Sequence, residues 1–340
     1  MTPELFTAGG AMLDCIVAAD GTLALERIGG NAVHAAVGAT LMGARAGILA
    51  RVPEGWPVAQ IAAAGIDTAG LRIEAAAMPD PEWFFHRADG NRVDRLHASL
   101  AAANAFGVNG DRISPALAAA WESHLREGGA AHAGWASFRA AHPVLPEHVP
   151  PAWWGARGVH VAPGASNAQL ALAQAARGRG LIVTLDPGFT ARTLFPALLE
   201  ALLGACDMFL PSEAELTALR PGLAPAAALA SLARAGGPVL LAKLGAAGAL
   251  LLDPAEGVVH ALPALPAFAR DPTGAGDAFA GGALAGLVRG EGVAAAARRG
   301  MVAGAFAVEA SGALAPLTAR AEAVAARLLR LEQFTARSPP

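Results

Sequence analysis

The spacing of apolar runs along the C-terminal part of the chain predicts its secondary structure. From residue 158 onward, short apolar runs alternate with longer alanine- and leucine-rich runs. The predicted strands cover 158–161, 181–185, 208–210, 239–242 and 249–252, and the predicted helices cover 167–176, 193–203, 213–219, 226–235, 278–288 and 293–308. Strands that alternate with helices are typical of a parallel sheet covered on both faces. The sequence therefore predicts a doubly wound α/β fold with a mostly parallel sheet.

The N-terminal part follows a different pattern, in which two hairpins interrupt the order of strands and helices. The predictions are a strand over 5–10, a hairpin over 15–27 with its turn at Asp20-Gly21, a helix over 31–42, a strand over 46–52 and a helix over 58–64. A second hairpin joins 83–86 to 92–97 through Asp89-Gly90, a dipeptide typical of two-residue turns. The two hairpins are able to pair with each other. Residues 101–154, broken by five prolines, give no clear element.

Composition indicates a folded protein and argues against several classes of partner. Of 340 residues, 54% are apolar and 16% are charged, which provides for a sizeable core. A net charge of -3, with no basic run longer than Arg298-Arg299, argues against nucleic acid. Cys15 and Cys206 form neither a disulfide framework nor a zinc pattern. Since no signal-peptide pattern or membrane-length apolar run is present, we expect a soluble, cytoplasmic protein with no membrane partner.

One glycine-rich segment carries the clearest chemical signal. Residues 271–282 read D-P-T-G-A-G-D-A-F-A-G-G, whereas common nucleotide-loop and hydrolase signatures are absent from the sequence. Small residues before a helix leave its first N–H groups open to an anion, such as a transferring phosphoryl group. Asp277 then lies in the first turn, where its carboxylate can accept a proton from an attacking hydroxyl. The alternative is a glycine-rich helix start in which Asp277 only complements the helix dipole.

This segment resembles the C-terminal signature of the PfkB carbohydrate kinases, the ribokinase-like family. Other segments follow the order of that family: Gly29-Gly30 before an alanine-rich helix, Gly65-Ile66-Asp67-Thr68, Leu185-Asp186-Pro187, P-S-E-A-E at 211–215, and K-L-G-A-A-G at 243–248. The resemblance spans most of the chain and is weak across 101–154. It implies a single ribokinase-like domain over 1–340, with a small β lid formed from about 14–28 and 80–98.

The resemblance also implies an activity, namely transfer of the γ-phosphoryl group of ATP, with Mg2+, to an alcohol of a sugar, sugar acid or nucleoside. Asp277 would be the base, and the N–H groups of Gly274, Ala275, Gly276 and Asp277 would hold the transferring phosphoryl group. The other implied roles are substrate binding by Asp14, Gly29, Gly30 and His34, nucleotide binding by Ser212, Lys243, Gly245 and Gly248, Mg2+ binding through water by Glu215, and a K+ site, found in some members, at Asp271 and Thr273.

Several of these residues also have a purely structural interpretation. Residues 212–215 have the spacing of a helix capping box, and Lys243 stands where a solvated strand end would lie. Asp14 and the Gly29-Gly30 pair are common turn residues. A histidine on an apolar helix, such as His34, is often a core or surface residue without contact to a ligand.

Departures from the family pattern leave alternatives open. His34 and Ser212 stand where the family usually has Asn, and Gly188 follows Asp186-Pro187 where Asn is common. We expect a kinase of a sugar or sugar derivative, with a nucleoside kinase as the alternative within the enzyme class. A non-catalytic, nucleotide-binding regulator or scaffold with the same fold is the alternative from another class.

An aromatic run, Trp83-Phe84-Phe85, lies on the second hairpin. Because a two-stranded hairpin is marginally stable alone, we expect these rings to pack the lid or a subunit contact, which would give a homodimer through the lid. The alternative is that they close over a substrate and exclude water.

Overall fold

The computed structural model describes residues 2–87, 92–128 and 134–337 of the chain. Its strands are β1 (Leu5–Ala8), β2 (Met12–Val17), β3 (Leu23–Gly29), β4 (Ala46–Pro53), β5 (Leu71–Glu74), β6 (Glu82–His86), β7 (Arg92–His97), β8 (Gly158–Val161), β9 (Ile182–Leu185), β10 (Met208–Phe209), β11 (Val239–Lys243), β12 (Ala249–Leu252) and β13 (Val259–Leu262). Its α-helices are α1 (Asn31–Leu41), α2 (Val58–Ala63), α3 (Leu100–Phe106), α4 (Pro115–Glu127), α5 (Trp135–Ala141), α6 (Ser166–Arg177), α7 (Pro196–Gly204), α8 (Glu213–Leu219), α9 (Pro225–Ala230), α10 (Ala275–Val288), α11 (Val293–Glu309) and α12 (Ala321–Arg337).

Nine strands form one large sheet in the order β13-β12-β11-β10-β9-β8-β1-β4-β5. The strands from β11 to β5 in that order run parallel, whereas β12 and β13 are antiparallel at one edge. This arrangement confirms the predicted doubly wound, mostly parallel sheet. The sequence analysis missed β5 and β13, because both edge strands are partly exposed and lack a continuous apolar run.

Helices cover both faces of the large sheet, as the alternating pattern predicted. One hydrophobic core packs α1, α10 and α11 against one face, and a second core packs α6 to α9 against the other. Neighbouring residues of β1 show the two faces, since Leu5 belongs to the first core and Phe6 to the second. Successive side chains of a strand point to opposite faces of its sheet, so a strand buried on both faces contributes to both cores.

Helices α1 and α10 approach each other closely at two glycines. A Cβ atom on Gly281 would lie 1.8 Å from the carbonyl oxygen of Ala35, and one on Gly38 would lie 2.1 Å from that of Ala278. Only glycine leaves room for such an approach of two backbones. The contact places the N-terminus of α10, with its glycine-rich loop, beside α1.

A second, small sheet has the order β3-β2-β6-β7. β2 and β3 form the predicted first hairpin, and β6 and β7 pair antiparallel as the second; the turn predicted at Asp89-Gly90 lies outside the described residues. The two hairpins pair through parallel contacts between β2 and β6. Gly21, in the first turn, has φ of +84°, which favours glycine. This small sheet corresponds to the predicted lid, whose assignment with the rest of the chain to one domain stays a prediction.

The small sheet has a hydrophobic core of its own. Trp83 and Phe85 point into it, and Trp83 meets the ring of Trp121 on α4 at a centroid distance of 5.4 Å. The indole N–H of Trp83 donates to the carbonyl of Ala98 at 2.9 Å. Phe84, between them, points to the other face of the sheet. Two of the three aromatic rings therefore pack the small sheet, as expected, and strand alternation sends the third the other way.

Residues 100–155, for which the sequence analysis gave no element, contain α3, α4, α5 and two 3-10 turns. Two serines cap the first two helices: the Ser99 hydroxyl accepts the N–H of Ala102 at 3.1 Å, and the Ser114 hydroxyl accepts that of Leu117 at 3.2 Å. Such caps stabilise the start of a helix. The described residues of this segment are thus largely helical, and α4 supplies part of the core under the small sheet.

Three predicted helix bounds were wrong for identifiable reasons. The helix predicted over 193–203 starts at Pro196, since a residue before proline, here Phe195, is held extended. The helix predicted over 226–235 ends at Ala230, where the Ser231 hydroxyl bonds back to a carbonyl of the last turn. Helix α10 starts three residues earlier than predicted, directly after Gly274. The C-terminal helix α12 was not predicted.

Within the described ranges, no helix combines the length and the apolar character that crossing a membrane requires.

Candidate active site

A cavity of about 1930 Å³ lies where the ends of β1, β8, β9 and β11 meet the small sheet and the N-terminus of α10. Ligands of doubly wound folds bind at this carboxyl edge of the parallel strands. The cavity lining includes most of the predicted site residues: Asp14, Gly30, His34, Ser212, Glu215, Lys243, Gly245, Gly248, Thr273, Gly274, Ala275, Gly276 and Asp277. Gly29 and Asp271 are not part of the lining. The fold therefore brings residues from distant parts of the sequence to one cavity.

The start of α10 forms a backbone site for an anion. Gly274 is the N-cap, with φ of +71° and ψ of 4°, a left-handed conformation that favours glycine. The first bond of the helix runs from the N–H of Ala278 to the carbonyl of Gly274 at 2.8 Å. The N–H groups of Gly276 and Asp277 therefore precede the hydrogen-bonded turn and have no carbonyl partner within the helix. Together with the helix dipole, they favour an anion in the cavity.

Lys243, at the end of β11, lies beside this loop and forms an ion pair with Asp186. Its amino nitrogen is 3.7 Å from the point where a Cβ of Gly276 would lie. Burial disfavours its charge, but the carboxylates of Asp186 and Glu215 hold the pKa of Lys243 above its ordinary value. The side chain is only 11% exposed, so the interpretation of Lys243 as a solvated strand end is wrong.

Asp277 and Glu215 both lie within the electrostatic reach of this ion pair. Burial, and then the charge of Asp186, raise the pKa of Asp277 to about 7, while Lys243 opposes the rise. The same two causes raise the pKa of Glu215 to about 7. A carboxyl with a pKa near neutrality is well matched to accept a proton at physiological pH. Asp277 therefore has the position and the proton affinity of a general base.

The structural interpretation of residues 212–215 is confirmed. The Ser212 hydroxyl accepts the N–H of Glu215 at 3.3 Å, and the Glu215 carboxylate accepts the N–H of Ser212 at 2.7 Å, which is a capping box at the start of α8. The box holds the Glu215 carboxylate at the cavity lining. A capping role and a role towards a bound ion are therefore compatible.

The donor set fits Mg2+ held largely by water and phosphate. In the part of the chain that the structure describes, no three acidic, histidine or cysteine side chains converge to cage a metal ion. Asp186 and Glu215 are close enough for one charge to raise the pKa of the other. Mg2+ commonly uses one or two carboxylates and completes its octahedron with water and substrate phosphates. Glu215 and Asp186 are suited to that arrangement.

Asp271 and Thr273, the predicted K+ ligands, contact a residue of the small sheet. The His86 imidazole lies 3.1 Å from the Asp271 carboxylate and 3.2 Å from the Thr273 hydroxyl. The Thr273 N–H also donates to Asp271, at 3.0 Å. Burial opposes ionisation, but these hydrogen bonds hold the pKa of Asp271 below its ordinary range. The K+ site stays a prediction, and His86 is a connection between small sheet and loop that the sequence analysis missed.

Asp14 lies within β2, so its interpretation as a turn residue is wrong. The side chain is buried, and its Oδ1 atom has no hydrogen-bond partner among the described residues. Burial, and then the charge of Glu82, raise the pKa of Asp14 well above its ordinary value. Gly29 makes room for this carboxylate, since a Cβ there would lie 1.7 Å from Oδ2. Asp14 is thus a buried acceptor at the cavity wall.

Gly30 allows the start of α1 to approach the end of β1. Its φ is +99°, and a Cβ on it would lie 2.5 Å from the carbonyl oxygen of Gly10. The next residue, Asn31, joins the start of α1 to the ends of two strands. Its Oδ1 accepts the N–H of Gly10, after β1, at 2.7 Å, and its amide donates to the carbonyl of Pro163, after β8, at 2.8 Å. Asn31 was not singled out from the sequence, although an amide after a glycine pair is a visible signal.

His34 packs against the glycine-rich loop that precedes α10. A Cβ on Gly274 would lie 2.1 Å from the His34 ring, so the ring and the glycine fit only together. The side chain is buried, and burial lowers the pKa of His34 to about 4, which leaves it neutral at pH 7. The structure thus gives His34 a packing role, and its predicted contact with substrate stays a prediction.

Gly245 and Gly248 flank a 3-10 turn directly after β11. Gly248 has φ of +93°, and a Cβ there would lie 2.0 Å from the carbonyl of Leu262. Gly245 has open space around its Cβ position. Both glycines have a left-handed φ, +58° at Gly245, so the backbone favours glycine at each, and Gly245 also presents main chain to the cavity.

A doubly wound fold with an anion-binding helix start, a neighbouring base and a lysine at the strand ends has the features of a phosphoryl-transfer enzyme. Residues 157–320 match the model of the pfkB family carbohydrate kinases. The resemblance that the glycine-rich loop predicted is thereby confirmed over that stretch.

Curated relatives agree with this match. A nucleoside kinase of Methanothermobacter thermautotrophicus is 28% identical over 169 residues, which are 50% of this chain and 53% of the relative. A cytidine kinase of Thermococcus kodakarensis is 29% identical over 143 residues, which are 42% of this chain and 51% of the relative. The chain thus spans about half the length of the curated relatives it matches.

Solved structures agree over nearly the whole chain. A ribokinase from Cryptococcus neoformans in complex with ADP has a TM-score of 0.72 at 21% identity, covering 95% of this chain and 99% of its own. A Burkholderia thailandensis nucleoside kinase with inosine has a TM-score of 0.70 at 18% identity, covering 96% and 97%. A putative ribokinase II from E. coli with ATP and Mg2+ has a TM-score of 0.66 at 19% identity, covering 99% and 100%. The chain has the ribokinase fold.

Proposed function

We propose that this protein is an ATP-dependent kinase that phosphorylates a hydroxyl group of a sugar or sugar derivative. The observation that carries the proposal is the position of Asp277, a carboxyl with a pKa of about 7, at the anion-binding start of α10 beside Lys243. A base and an anion site at one helix start are what transfer of a phosphoryl group to a hydroxyl requires. The family match and the ribokinase fold support the same activity.

The reaction follows from the positions of these groups. Asp277 accepts the proton of the acceptor hydroxyl as its oxygen attacks the γ-phosphorus of ATP, and the bond from that phosphorus to the β,γ-bridging oxygen breaks. The N–H groups of Gly276 and Asp277 and the Lys243 ammonium stabilise the negative charge on the transferring phosphoryl group. Mg2+, held by Glu215 and Asp186 through water, would neutralise charge on the ATP phosphates. No covalent enzyme intermediate is needed.

The two substrates occupy opposite ends of the cavity in this proposal. Ser212, Lys243, Gly245 and Gly248 lie at the ends of β10 to β12, where ATP would bind. Asp14, Gly30 and His34 lie where the small sheet meets α1, where the acceptor would bind. A nucleoside is the second candidate acceptor, because both curated relatives described above are named as nucleoside or cytidine kinases.

The test is ADP release from ATP and Mg2+ over a panel of sugars, sugar acids and nucleosides. With the substrate so identified, we expect Asp277→Asn to lower kcat by about 10²- to 10⁴-fold, since general-base catalysis contributes that much. Calorimetry should show that the variant still binds ATP. Asp253→Asn is the matched control, because this aspartate lies outside the cavity lining and its carboxylate accepts the N–H of Ala255, as an amide oxygen could.

Two results would contradict the proposal. Near-normal turnover by Asp277→Asn would remove the proposed base. ATP binding without turnover on any panel member would favour the non-catalytic regulator. A homodimer through the small sheet and a cytoplasmic location stay predictions.

A further inference from the structure

Several cationic side chains line the acceptor side of the cavity, and three of them are neutralised by neighbouring carboxylates. Arg92 donates to Asp94 at 2.7 Å, and Arg126 donates to Glu122 at 2.9 Å. Arg51 is paired with Glu74. These pairs give the arginines a partner within the protein.

Arg139, on α5, differs from these three. Its guanidinium lies against the backbone of Gly10, with Nη1 3.3 Å from the point where a Cβ would be, and its nearest side-chain acceptor is the Met12 sulfur at 4.0 Å. Among the described residues, no carboxylate lies within 4.0 Å of it. The side chain is partly buried and lines the cavity. A guanidinium carries five donors, so Arg139 retains most of its binding capacity for a ligand.

The surroundings of Arg139 place it at the acceptor end. Gly10, on which it rests, bonds to Asn31 and lies against Gly30. The charge of Arg139 also reaches Asp14, where it opposes the rise in the pKa that burial causes. Asp14 is the buried carboxylate whose Oδ1 has no partner. One wall of the cavity thus presents an unused acceptor for hydroxyl groups and an unused cation.

We propose, resting on the kinase function above, that Arg139 binds an anionic group of the acceptor, so that the acceptor is a sugar derivative with a carboxylate or phosphate. Arginine binds both groups through two parallel N–H donors. In this arrangement Asp14 accepts hydrogen bonds from the sugar hydroxyls while Arg139 holds the charged end. Both residues precede 157, so they lie outside the stretch that matches the family model.

The experiment uses matched sets of ligands: glucose, gluconate and glucose 6-phosphate; ribose, ribonate and ribose 5-phosphate; and uridine as a neutral nucleoside. Calorimetry with the full chain measures binding, which does not depend on turnover. ADP release then separates KM from kcat. The variants are Arg139→Met, which keeps an apolar side chain of similar length, and Arg139→Lys. The control is Arg177→Ala, because Arg177 lies outside the lining of this cavity and forms an exposed ion pair with Asp207.

We expect a carboxylate or phosphate member to bind more tightly than its neutral counterpart. Arg139→Met should raise Kd and KM for that ligand about 10- to 100-fold, as loss of a hydrogen bond between charged groups does. The change in kcat and in ATP affinity should be small, Arg139→Lys should recover part of the loss, and Arg177→Ala should have no effect. Comparing Kd for the sugar acids with Kd for the sugar phosphates identifies which anionic group is bound.

The proposal is overturned if neutral sugars or uridine bind more tightly than the acids and phosphates, if no anionic member binds, or if Arg139→Met leaves Kd unchanged. In the first and third cases a normal loss of turnover in Asp277→Asn would leave the kinase function standing. Tight binding of an anionic ligand without turnover would instead retain the Arg139 site and remove the kinase function.

Discussion

The two ends of the cavity handle charge in different ways. At the end near α8 and α10, Lys243 lies among Asp186, Glu215 and Asp277, and the positive and negative charges compensate one another within the protein. At the end near the small sheet, Asp14 has an unpartnered oxygen, and Arg139 has no carboxylate partner within the described ranges. In the proposed function the first end binds the polyphosphate of ATP, whereas the free groups of the second end find their partners only when an acceptor binds.

Lys243→Met should give the largest effect on stability. Removing one member of a buried ion pair leaves the other charge uncompensated, which costs about 3 to 5 kcal/mol of unfolding free energy. The loss should be greater at pH 8 than at pH 6, because the carboxyls of Asp277 and Glu215, with pKa values of about 7, are ionised only at the higher pH. Denaturant unfolding at both pH values measures this.

Arg139→Met is the matched control for the other end. It breaks no ion pair, so we expect a change in unfolding free energy of less than about 1 kcal/mol. Equal losses of unfolding free energy in Lys243→Met and Arg139→Met would contradict the proposed difference, in which Lys243 has carboxylate partners within the protein and Arg139 does not.

Asp14→Asn should stabilise the free protein while it weakens acceptor binding. The raised pKa of Asp14 means that folding disfavours its charged form. This group therefore lowers stability as pH rises above the ordinary carboxyl pKa of about 3.9, and the cost is largest above its folded-state pKa. The neutral amide removes that cost, and we expect a gain of about 1 to 3 kcal/mol at pH 7.

The gain in unfolding free energy from Asp14→Asn should disappear near pH 3, where the protonated carboxyl of Asp14 is as neutral as the amide that replaces it. Thermal unfolding from pH 3 to pH 8 measures it, and KM for the acceptor should rise in the same variant. A variant less stable than the parent at pH 7 would show that Asp14 already has a compensating partner.

Turnover should depend on pH through the carboxyls at the end near α10. Because Asp277 must be ionised to accept a proton, kcat/KM should rise with pH and level off above about 7, changing up to about tenfold per pH unit below that value. Asp277 and Glu215 share the field of Asp186, so the apparent pKa belongs to the cluster. A profile from pH 5.5 to pH 8.5 measures it.

Glu215→Gln separates the two carboxyls. Asp186, rather than Glu215, is the neighbouring carboxylate that raises the pKa of Asp277, so the midpoint of the profile should stay near 7 in this variant. The Mg2+ concentration needed for half-maximal rate should rise. A flat pH profile in the parent enzyme would remove Asp277 as the titrating base.

Much of the fold, and part of the cavity end near α8 and α10, could be predicted because the signals are local. Residues 213–219 and 249–252 were predicted with their observed bounds, since a capping box starts the helix and a turn with Gly248 precedes the strand. The small residues at 274–277 indicated a helix start open to an anion, and the family resemblance then favoured that interpretation over a plain helix start. These features depend on contacts between residues close in sequence.

The acceptor end could not be predicted in the same way, because it depends on contacts between distant segments. Arg139 is identified only by what lies around its guanidinium, namely Gly10 and Met12, more than a hundred positions away. The serines that cap α3 and α4 were visible, but prolines and a weak apolar pattern obscured the helices between residues 100 and 154. Asp186 followed a predicted strand, yet its pairing with Lys243 required the sheet order.

The distribution of aromatic residues has a spectroscopic consequence. All six tryptophans precede residue 155, the chain contains no tyrosine, and Trp83 and Trp121 meet edge to face in the core of the small sheet. No tryptophan lies in the segment that carries Lys243 and Asp277. The intrinsic ultraviolet emission of the protein therefore originates from the N-terminal half of the chain, which contains the small sheet and α5, and it can follow changes there without an introduced label.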